Sequence, residues 1–157
     1  MSNQSTAEYL SSHEFFSELN DDILKFLCEC SSIREIKKGE ILFRQGEKAD
    51  KFYVIRKGFI SIQIPAIMGP ALEIETLGRN DVLGWSWMIL PYKWHFQTRA
   101  EEDSELLAFD GAAILIRCEQ DPKFGYELLK KFAGLMSVRL NAARQKMMEE
   151  WNPTGFA

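Results

Sequence analysis

The sequence has few of the side chains on which catalysis and metal binding commonly depend. Its 157 residues include only two histidines, His13 and His95, and three cysteines, Cys28, Cys30 and Cys118. A catalytic metal site built on histidine needs about three of them with a carboxylate, and an iron–sulfur cluster needs four ligands. No nucleophile–base pair stands out. The sequence therefore predicts a protein that is not an enzyme and holds no metal, with cysteines that act as small buried residues.

Long apolar runs and an excess of positive charge are also lacking. No apolar stretch reaches the roughly 20 residues that cross a membrane, and the first residues lack the basic and apolar regions of a signal peptide. The 19 basic and 23 acidic residues give a net charge of −4, whereas nucleic-acid-binding domains usually carry a basic stripe. We therefore expect a soluble, cytoplasmic protein with no membrane segment and one core.

What the sequence does contain is a series of glycines between short segments of β-type pattern. Glycine adopts positive φ without a steric penalty, so Gly39, Gly46 and Gly58 mark sharp turns. Apolar and polar residues alternate between these turns, most clearly where Ile60 and Ile62 lie on one face of a strand. This pattern predicts about eight short strands that roll into a small β-barrel.

Helices are predicted on both sides of these strands. Asn20 is a good N-cap for a helix that ends near Cys30, a second helix covers about 111–119, and Asp121-Pro122 begins a long helix that reaches about Glu150. The fold class is therefore mainly β with flanking helices. The predicted domain covers 13–151, between a polar segment 1–12, either frayed or a short helix, and a tail 152–157.

The glycine-rich region resembles a known family. Its residues run, with gaps, Gly39, Glu40, Leu42, Phe43, Gly46, Glu47, Asp50, Tyr53, Ile55, Gly58, Leu77, Gly78, Asp81, Leu83 and Gly84. This order is similar to that of the cyclic-nucleotide-binding domain of the catabolite-activator and kinase regulatory-subunit families, over about 15–150. The resemblance implies a jelly-roll β-roll with an N-terminal helix and C-terminal helices, which acts by binding a ligand.

The segment after Gly84 departs from that family. It resembles the phosphate-binding cassette, in which a glutamate accepts the ribose hydroxyl and an arginine neutralises the cyclic phosphate. This chain has Trp85 at the glutamate position and Trp94 at the arginine position. Lys93 is predicted to point to the opposite face from Trp94, so it replaces the arginine only if the register shifts by one residue. Binding of cyclic AMP or cyclic GMP through the usual arginine–phosphate contact is therefore not expected.

Two interpretations of the aromatic cassette remain open. Its residues form a pocket for a flat ligand, or the tryptophans fill the pocket themselves. The candidate ligand-binding residues are Gly84, Trp85, Ser86, Trp87, Trp94 and Phe96. Heme is not expected, because His95 lies on the face opposite Trp94 and His13 lies in a weakly ordered N-terminal segment.

These features predict a stand-alone, non-catalytic sensor or regulatory module with no cofactor beyond an unidentified small ligand. The alternatives are a genuine cyclic-nucleotide sensor with a shifted register and a ligand-free interaction module.

The long C-terminal helix predicts a partner. Its apolar stripe continues through Leu140, Ala143 and Met147, beyond what one barrel can cover, and Arg139-Leu140 matches a pair usual in the family's long helix. We expect a homodimer through this helix, and another regulatory protein is a further candidate partner. In the family this helix leads to a DNA-binding domain, whereas this sequence ends soon after it, so direct DNA binding is not expected.

Overall fold

The computed structural model describes residues 3–151, with side chains from residue 5 onward, so the predicted tail 152–157 lies outside the described residues. Two helices precede eight strands, and two more helices follow them. The helices are α1 Asn3–Ser12, α2 Asp21–Glu29, α3 Gly111–Gln120 and α4 Pro122–Glu150. The strands are β1 Ser31–Ile36, β2 Ile41–Phe43, β3 Lys51–Lys57, β4 Ile60–Ile64, β5 Leu72–Leu77, β6 Val82–Leu83, β7 Gln97–Ala100 and β8 Ser104–Asp110.

The strands form two antiparallel sheets, in the orders β1-β8-β3-β6 and β2-β7-β4-β5. On the inner face of the second sheet, Ile60 pairs with Ala100 and Ile62 with Thr98, and all four side chains are buried. The β3–β4 turn brings Gly58 against Ser104 at φ +94°, where a Cβ atom would lie 2.0 Å from the Ser104 hydroxyl oxygen. The predicted mainly-β fold with about eight strands is confirmed.

The helices cover one side of the barrel through an aromatic cluster. Phe52 of β3 stacks on Phe109 of β8 with ring centroids 4.4 Å apart, and Phe132 of α4 meets Phe52 edge-on at 5.0 Å. Phe124 and Leu128 are the other buried residues of α4, so its first half packs against the protein body and most of its second half is exposed. Apolar burial of this kind is the main stabilising contribution in a small domain.

The N-terminal segment is more ordered than the sequence suggests. Residues from Asn3 form α1, and Leu10 of this helix is completely buried. His13 was expected in a weakly ordered segment, but it is only 7% exposed and its Nε2 lies 2.6 Å from the carbonyl oxygen of Asn80. That expectation is wrong, because the rings of Tyr9 and Phe16 pack on His13 and the Asn80 carbonyl bonds to it. None of the described helices is long and apolar enough to cross a membrane.

Candidate functional site: a barrel pocket closed by tryptophan

Five of the six predicted site residues line one cavity inside the barrel, beneath α4. The cassette folds as a turn at Gly84 and a single turn of 3₁₀ helix, Ser86–Met88, before the chain returns toward β7. The predicted residues on the cavity wall are Gly84, Trp85, Ser86, Trp94 and Phe96. The other residues on the wall are Phe43, Ile62, Leu83, His95, Thr98 and Arg139.

Trp94 occupies the centre of this site. Its indole is 6% exposed and stacks on Phe43, with ring centroids 3.7 Å apart and planes inclined by 11°. Trp94 precedes β7, which begins at Gln97. Two backbone hydrogen bonds fix its position: its N–H donates to the carbonyl of Glu47, and its carbonyl accepts from the N–H of Gly46. Trp94 therefore points into the barrel.

Gly84 permits this close approach of the indole. Its φ is +99°, and a Cβ atom at this position would lie 2.9 Å from the Trp94 ring. A side chain at Gly84 would therefore both strain the backbone and displace the indole. In this chain the cassette glycine leaves room for an aromatic ring of the protein itself.

The remaining space is small. The cavity has a volume of about 30 Å³. One ordered water needs at least about 10–15 Å³, whereas pockets for drug-sized ligands have volumes of roughly 300–1,000 Å³. In this conformation the cavity has room for one or two waters and none for a nucleotide.

Trp87 does not join the other five predicted residues. It is 1% exposed and packs between Phe52, at a centroid distance of 5.3 Å, and Phe132, at 5.1 Å. Its indole N–H is buried and has no hydrogen-bond partner among the described residues. Trp87 therefore belongs to the core between the barrel and α4, and the structure does not place it on the cavity wall.

A serine–histidine contact that the sequence does not predict lies on the wall. The Ser86 hydroxyl is 3.2 Å from Nδ1 of His95, and the exposed imidazole stacks on Trp85 with centroids 5.0 Å apart. No carboxylate among the described residues orients His95, and Ser86 is only 3% exposed, so the pair lacks two features of an activated nucleophile. Across the cavity, the completely buried Thr98 hydroxyl has no partner in the described part of the chain.

Arg139 reaches the cavity wall from α4, although the sequence indicates a role for it only in the long helix. Its Nη1 donates to Oε2 of Glu75 on β5, and its Nη2 donates to the carbonyl of Val82 on β6, both at 2.9 Å. The side chain is only 11% exposed, so Arg139 ties α4 to the edge of the pocket. Lys93 is exposed and does not line the cavity, so the shifted-register alternative gains no cation from it.

The described residues contain no group of three or more histidine, cysteine, aspartate or glutamate side chains placed to hold a metal.

The comparisons with known proteins agree with this architecture. An anaerobic regulatory protein of Bacillus subtilis (strain 168) is 23% identical over 132 residues, which are 83% of this chain and 54% of that protein. A solved protein of Geobacter metallireducens GS-15, provisionally named as cyclic nucleotide-binding, is 22% identical, with a TM-score of 0.78 over 86% of this chain and 98% of that one. The sensor domain of the transcriptional regulator DNR from Pseudomonas aeruginosa is 25% identical, with a TM-score of 0.71 over 88% and 93%.

The family comparison is the most direct. The chain spans only 30% and 54% of the length of the first curated relatives that it matches, so those relatives have further parts. A family model described as the cyclic nucleotide-binding domain matches residues 33–121, from the first strand to the start of α4. The chain belongs to the cyclic nucleotide-binding domain family.

Proposed function

We propose that this regulatory module of the cyclic nucleotide-binding domain family does not bind cyclic AMP or cyclic GMP through an arginine–phosphate contact. The observation that carries the proposal is Trp94, which stacks on Phe43 and reduces the cavity to about 30 Å³. A nucleotide would have to displace the indole from its buried position first. That displacement costs about 3 kcal/mol or more, or about a hundredfold in affinity.

Electrostatics supports the same conclusion. A phosphate buried without a paired cation costs several kcal/mol even after relaxation. The only Lys or Arg side chain among the described residues of the wall is Arg139, and it is already bonded to Glu75 and to the Val82 carbonyl. Trp85 offers no carboxylate to accept a ribose hydroxyl. The described residues of the wall therefore offer neither a carboxylate for the ribose hydroxyl nor an unpaired cation for the phosphate.

Titration calorimetry of the whole chain with cyclic AMP and cyclic GMP, up to high micromolar nucleotide, tests this proposal. A cyclic AMP-binding kinase regulatory subunit run alongside is the positive control. We expect no saturable heat. A dissociation constant below about 10 µM, near −7 kcal/mol, would contradict the proposal.

The module is further proposed to act without catalysis. Ser86 and His95 form the nucleophile–base contact nearest to the pocket, and burial of the serine with no acid behind the histidine supports an inert pair. Hydrolysis of an activated ester such as p-nitrophenyl acetate should be equal in the parent and in Ser86→Ala. A clear loss of rate in the variant would show that the pair is catalytic.

The closed cavity favours one second candidate, a module that binds no ligand and works through its surfaces. A thermal-shift screen with flat aromatic compounds distinguishes a module that binds a small ligand from a module that binds none. A saturable rise in melting temperature that Trp94→Ala alters would identify a ligand pocket, whereas no response from any compound supports the interaction module.

We also propose that α4 pairs with α4 of a second copy. At 1.5 Å per residue its 29 residues extend about 43 Å, yet its buried side chains all lie in the first half. Beyond Arg139 the helix exposes 72% of Leu140 and 59% of Met147, beside the smaller Ala143. A second copy is the partner because a twofold axis sets the same apolar residues against each other.

Light scattering of the purified chain tests the dimer. A parent that is monomeric at about 100 µM would refute the pairing, since that limit corresponds to less than about 5.5 kcal/mol of association. Ala143→Glu places like charges across the axis and should give a folded monomer. Glu149→Gln, on the exposed end of the same helix, is the matched surface control and should leave the dimer unchanged.

A further inference from the structure

Away from the pocket, His13 connects the N-terminal segment to the β5–β6 turn. Both nitrogens of its ring are engaged: Nδ1 lies 3.0 Å from the backbone nitrogen of Phe15, and Nε2 lies 2.6 Å from the carbonyl oxygen of Asn80. The ring is 7% exposed and packs edge-on against Phe16, with centroids 5.1 Å apart. Water therefore has little access to replace either hydrogen bond.

These two partners determine the protonation state of the ring. The backbone N–H of Phe15 can only donate, so Nδ1 of His13 must carry a lone pair. The carbonyl of Asn80 can only accept, so Nε2 must carry the proton. The structure requires neutral His13 with its proton on Nε2. An imidazolium has N–H on both nitrogens and cannot accept from Phe15, so protonation breaks that bond.

The turn that His13 holds is itself closely connected. Asn80 has a left-handed backbone with φ +72°, its amide oxygen accepts from the Tyr9 hydroxyl at 2.6 Å, and its N–H donates to the Ile55 carbonyl at 2.7 Å. On the other side, the Phe15 ring meets Phe132 of α4 edge-on at 5.2 Å. The segment fixed by His13 therefore lies between the turn and the first half of α4.

The charged surroundings of His13 act in both directions. Burial lowers the pKa of His13 below its ordinary value of 6.5, while the Asn80 carbonyl, Glu14 and Asp81 oppose this shift. The titratable and charged groups around His13 and along the adjoining groove, from each neighbouring element, are Tyr9, Glu14, Glu18, Arg56, Arg79, Asp81, Lys131 and Arg139. Carboxylates and cations are interspersed there, and burial is the largest influence on the pKa of His13.

We propose that His13 is an acid-sensitive latch, whose protonation breaks the hydrogen bond from the Phe15 N–H, keeps the bond to Asn80 and loosens the contact of Phe15 with α4. In its neutral form the latch holds α1, the barrel and α4 in one arrangement. On acidification the imidazolium repels the Phe15 N–H, while its Nε2–H still donates to the Asn80 carbonyl. The module would then respond to pH independently of any ligand in the barrel pocket.

The direction of the pH effect follows from the two states of His13. Its pKa is lower in the folded chain than the 6.5 of the unfolded chain, so the unfolded state binds the proton more readily. Above pH 6.5, the titration of His13 therefore does not lower the free energy of unfolding. Below pH 6.5, this free energy falls as the pH drops toward the pKa of His13 in the folded chain. Each tenfold difference between the proton affinities of His13 in the unfolded and folded chain should lower the melting temperature at acidic pH by about 3–5 °C.

Nitrogen NMR of the parent chain tests the latch directly, because only two histidines need assignment and His95→Gln identifies them. At about pH 7.5 we expect the proton on Nε2 of His13 and a through-bond coupling between Nδ1 and the Phe15 amide nitrogen. That coupling should disappear with the titration of the His13 ring, at a midpoint below 6.5. The Ile23 amide, which donates to the Asn20 side chain, is the matched control and should not follow it.

Several outcomes would overturn the latch. These are a proton on Nδ1 at neutral pH, a Phe15 coupling that survives protonation of the ring, and a ring that stays neutral until the whole chain unfolds. Thermal unfolding adds a second measurement. His13→Gln keeps a donor for Asn80 but does not titrate, so its melting temperature should fall less than that of the parent between about pH 7.5 and 5.5. Equal falls would contradict the proposal, and the parent titration decides if this variant does not fold.

Discussion

Replacing Trp94 with alanine tests whether the indole is part of the core or the wall of an open site. Trp94 is 6% exposed, stacks on Phe43 at 3.7 Å and lies against the backbone of Gly84. A buried tryptophan removes about 150–250 Å² from water, which at roughly 25 cal/mol per Å² amounts to about 4–6 kcal/mol. Measured losses for aromatic-to-alanine changes in cores are about 3–5 kcal/mol, and we expect Trp94→Ala to fall in that range.

Thermal and urea unfolding of the parent and the variant measure this loss. For a chain of this size, 3–5 kcal/mol corresponds to a fall in melting temperature of about 6–20 °C. Trp151→Ala is the matched control, because Trp151 is 86% exposed and its removal should change stability by less than about 0.5 kcal/mol. Both variants lose one of four tryptophans, so their fluorescence signals remain comparable.

A melting temperature of Trp94→Ala within a degree or two of the parent would refute the reasoning. That result would mean that the stack on Phe43 is not a stable part of the core and that the indole moves aside at little cost. Trp94→Phe refines the test, since phenylalanine can keep the stacked contact with Phe43 while it leaves part of the indole volume empty. The loss of stability in Trp94→Phe should lie between the losses in Trp94→Ala and in the Trp151→Ala control.

Three further results are expected. Trp94→Arg should show no saturable cyclic AMP binding in calorimetry, because Trp85 still denies the ribose an acceptor; a micromolar dissociation constant would show that the arginine alone is sufficient. Arg139→Met should lose about 1–3 kcal/mol and raise hydrogen exchange in the second half of α4, whereas the exposed Arg144→Met should do neither; unchanged exchange in Arg139→Met would rule out the proposed anchoring. Asn20→Ala removes the side-chain acceptor for the Ile23 N–H and should lower the urea midpoint by about 1 kcal/mol with an unchanged slope; no change would mean that the cap is not a net contributor.

Local signals in the sequence were sufficient for the elements of the fold. The N-cap at Asn20 and the start signal at Asp121-Pro122 place the observed helix starts within a residue, because a capping side chain bonds to amides only two or three positions away. The alternation of Ile60 and Ile62 predicts that they share a buried face of β4, since a strand has a period of two, but the burial of Ser61 and Gln63 on the other face has no such signal. The same alternation places Trp94 inward, but His95, expected on the opposite face, lines the same cavity, because residues 94–96 precede the regular pairing of β7.

Other features depend on contacts between residues far apart in the chain, which no local pattern encodes. The sequence places Trp87 beside Trp85 in the cassette, but tertiary packing turns Trp87 toward Phe52 and Phe132 in the core. Arg139 reaches the pocket from α4, more than fifty residues after β6. Neither arrangement has a periodic signature, because each depends on how α4 lies across the barrel.

The sequence by itself determined the family resemblance, the order of helices and strands, and the absence of a glutamate and an arginine from the cassette. Those are properties of residue type and short spacing. Only the tertiary structure decided that the pocket is closed, since this depends on the fit of the Trp94 indole against Phe43 and Gly84. It also decided that His13 is buried between Phe15 and Asn80, because burial of a polar ring requires partners from distant segments.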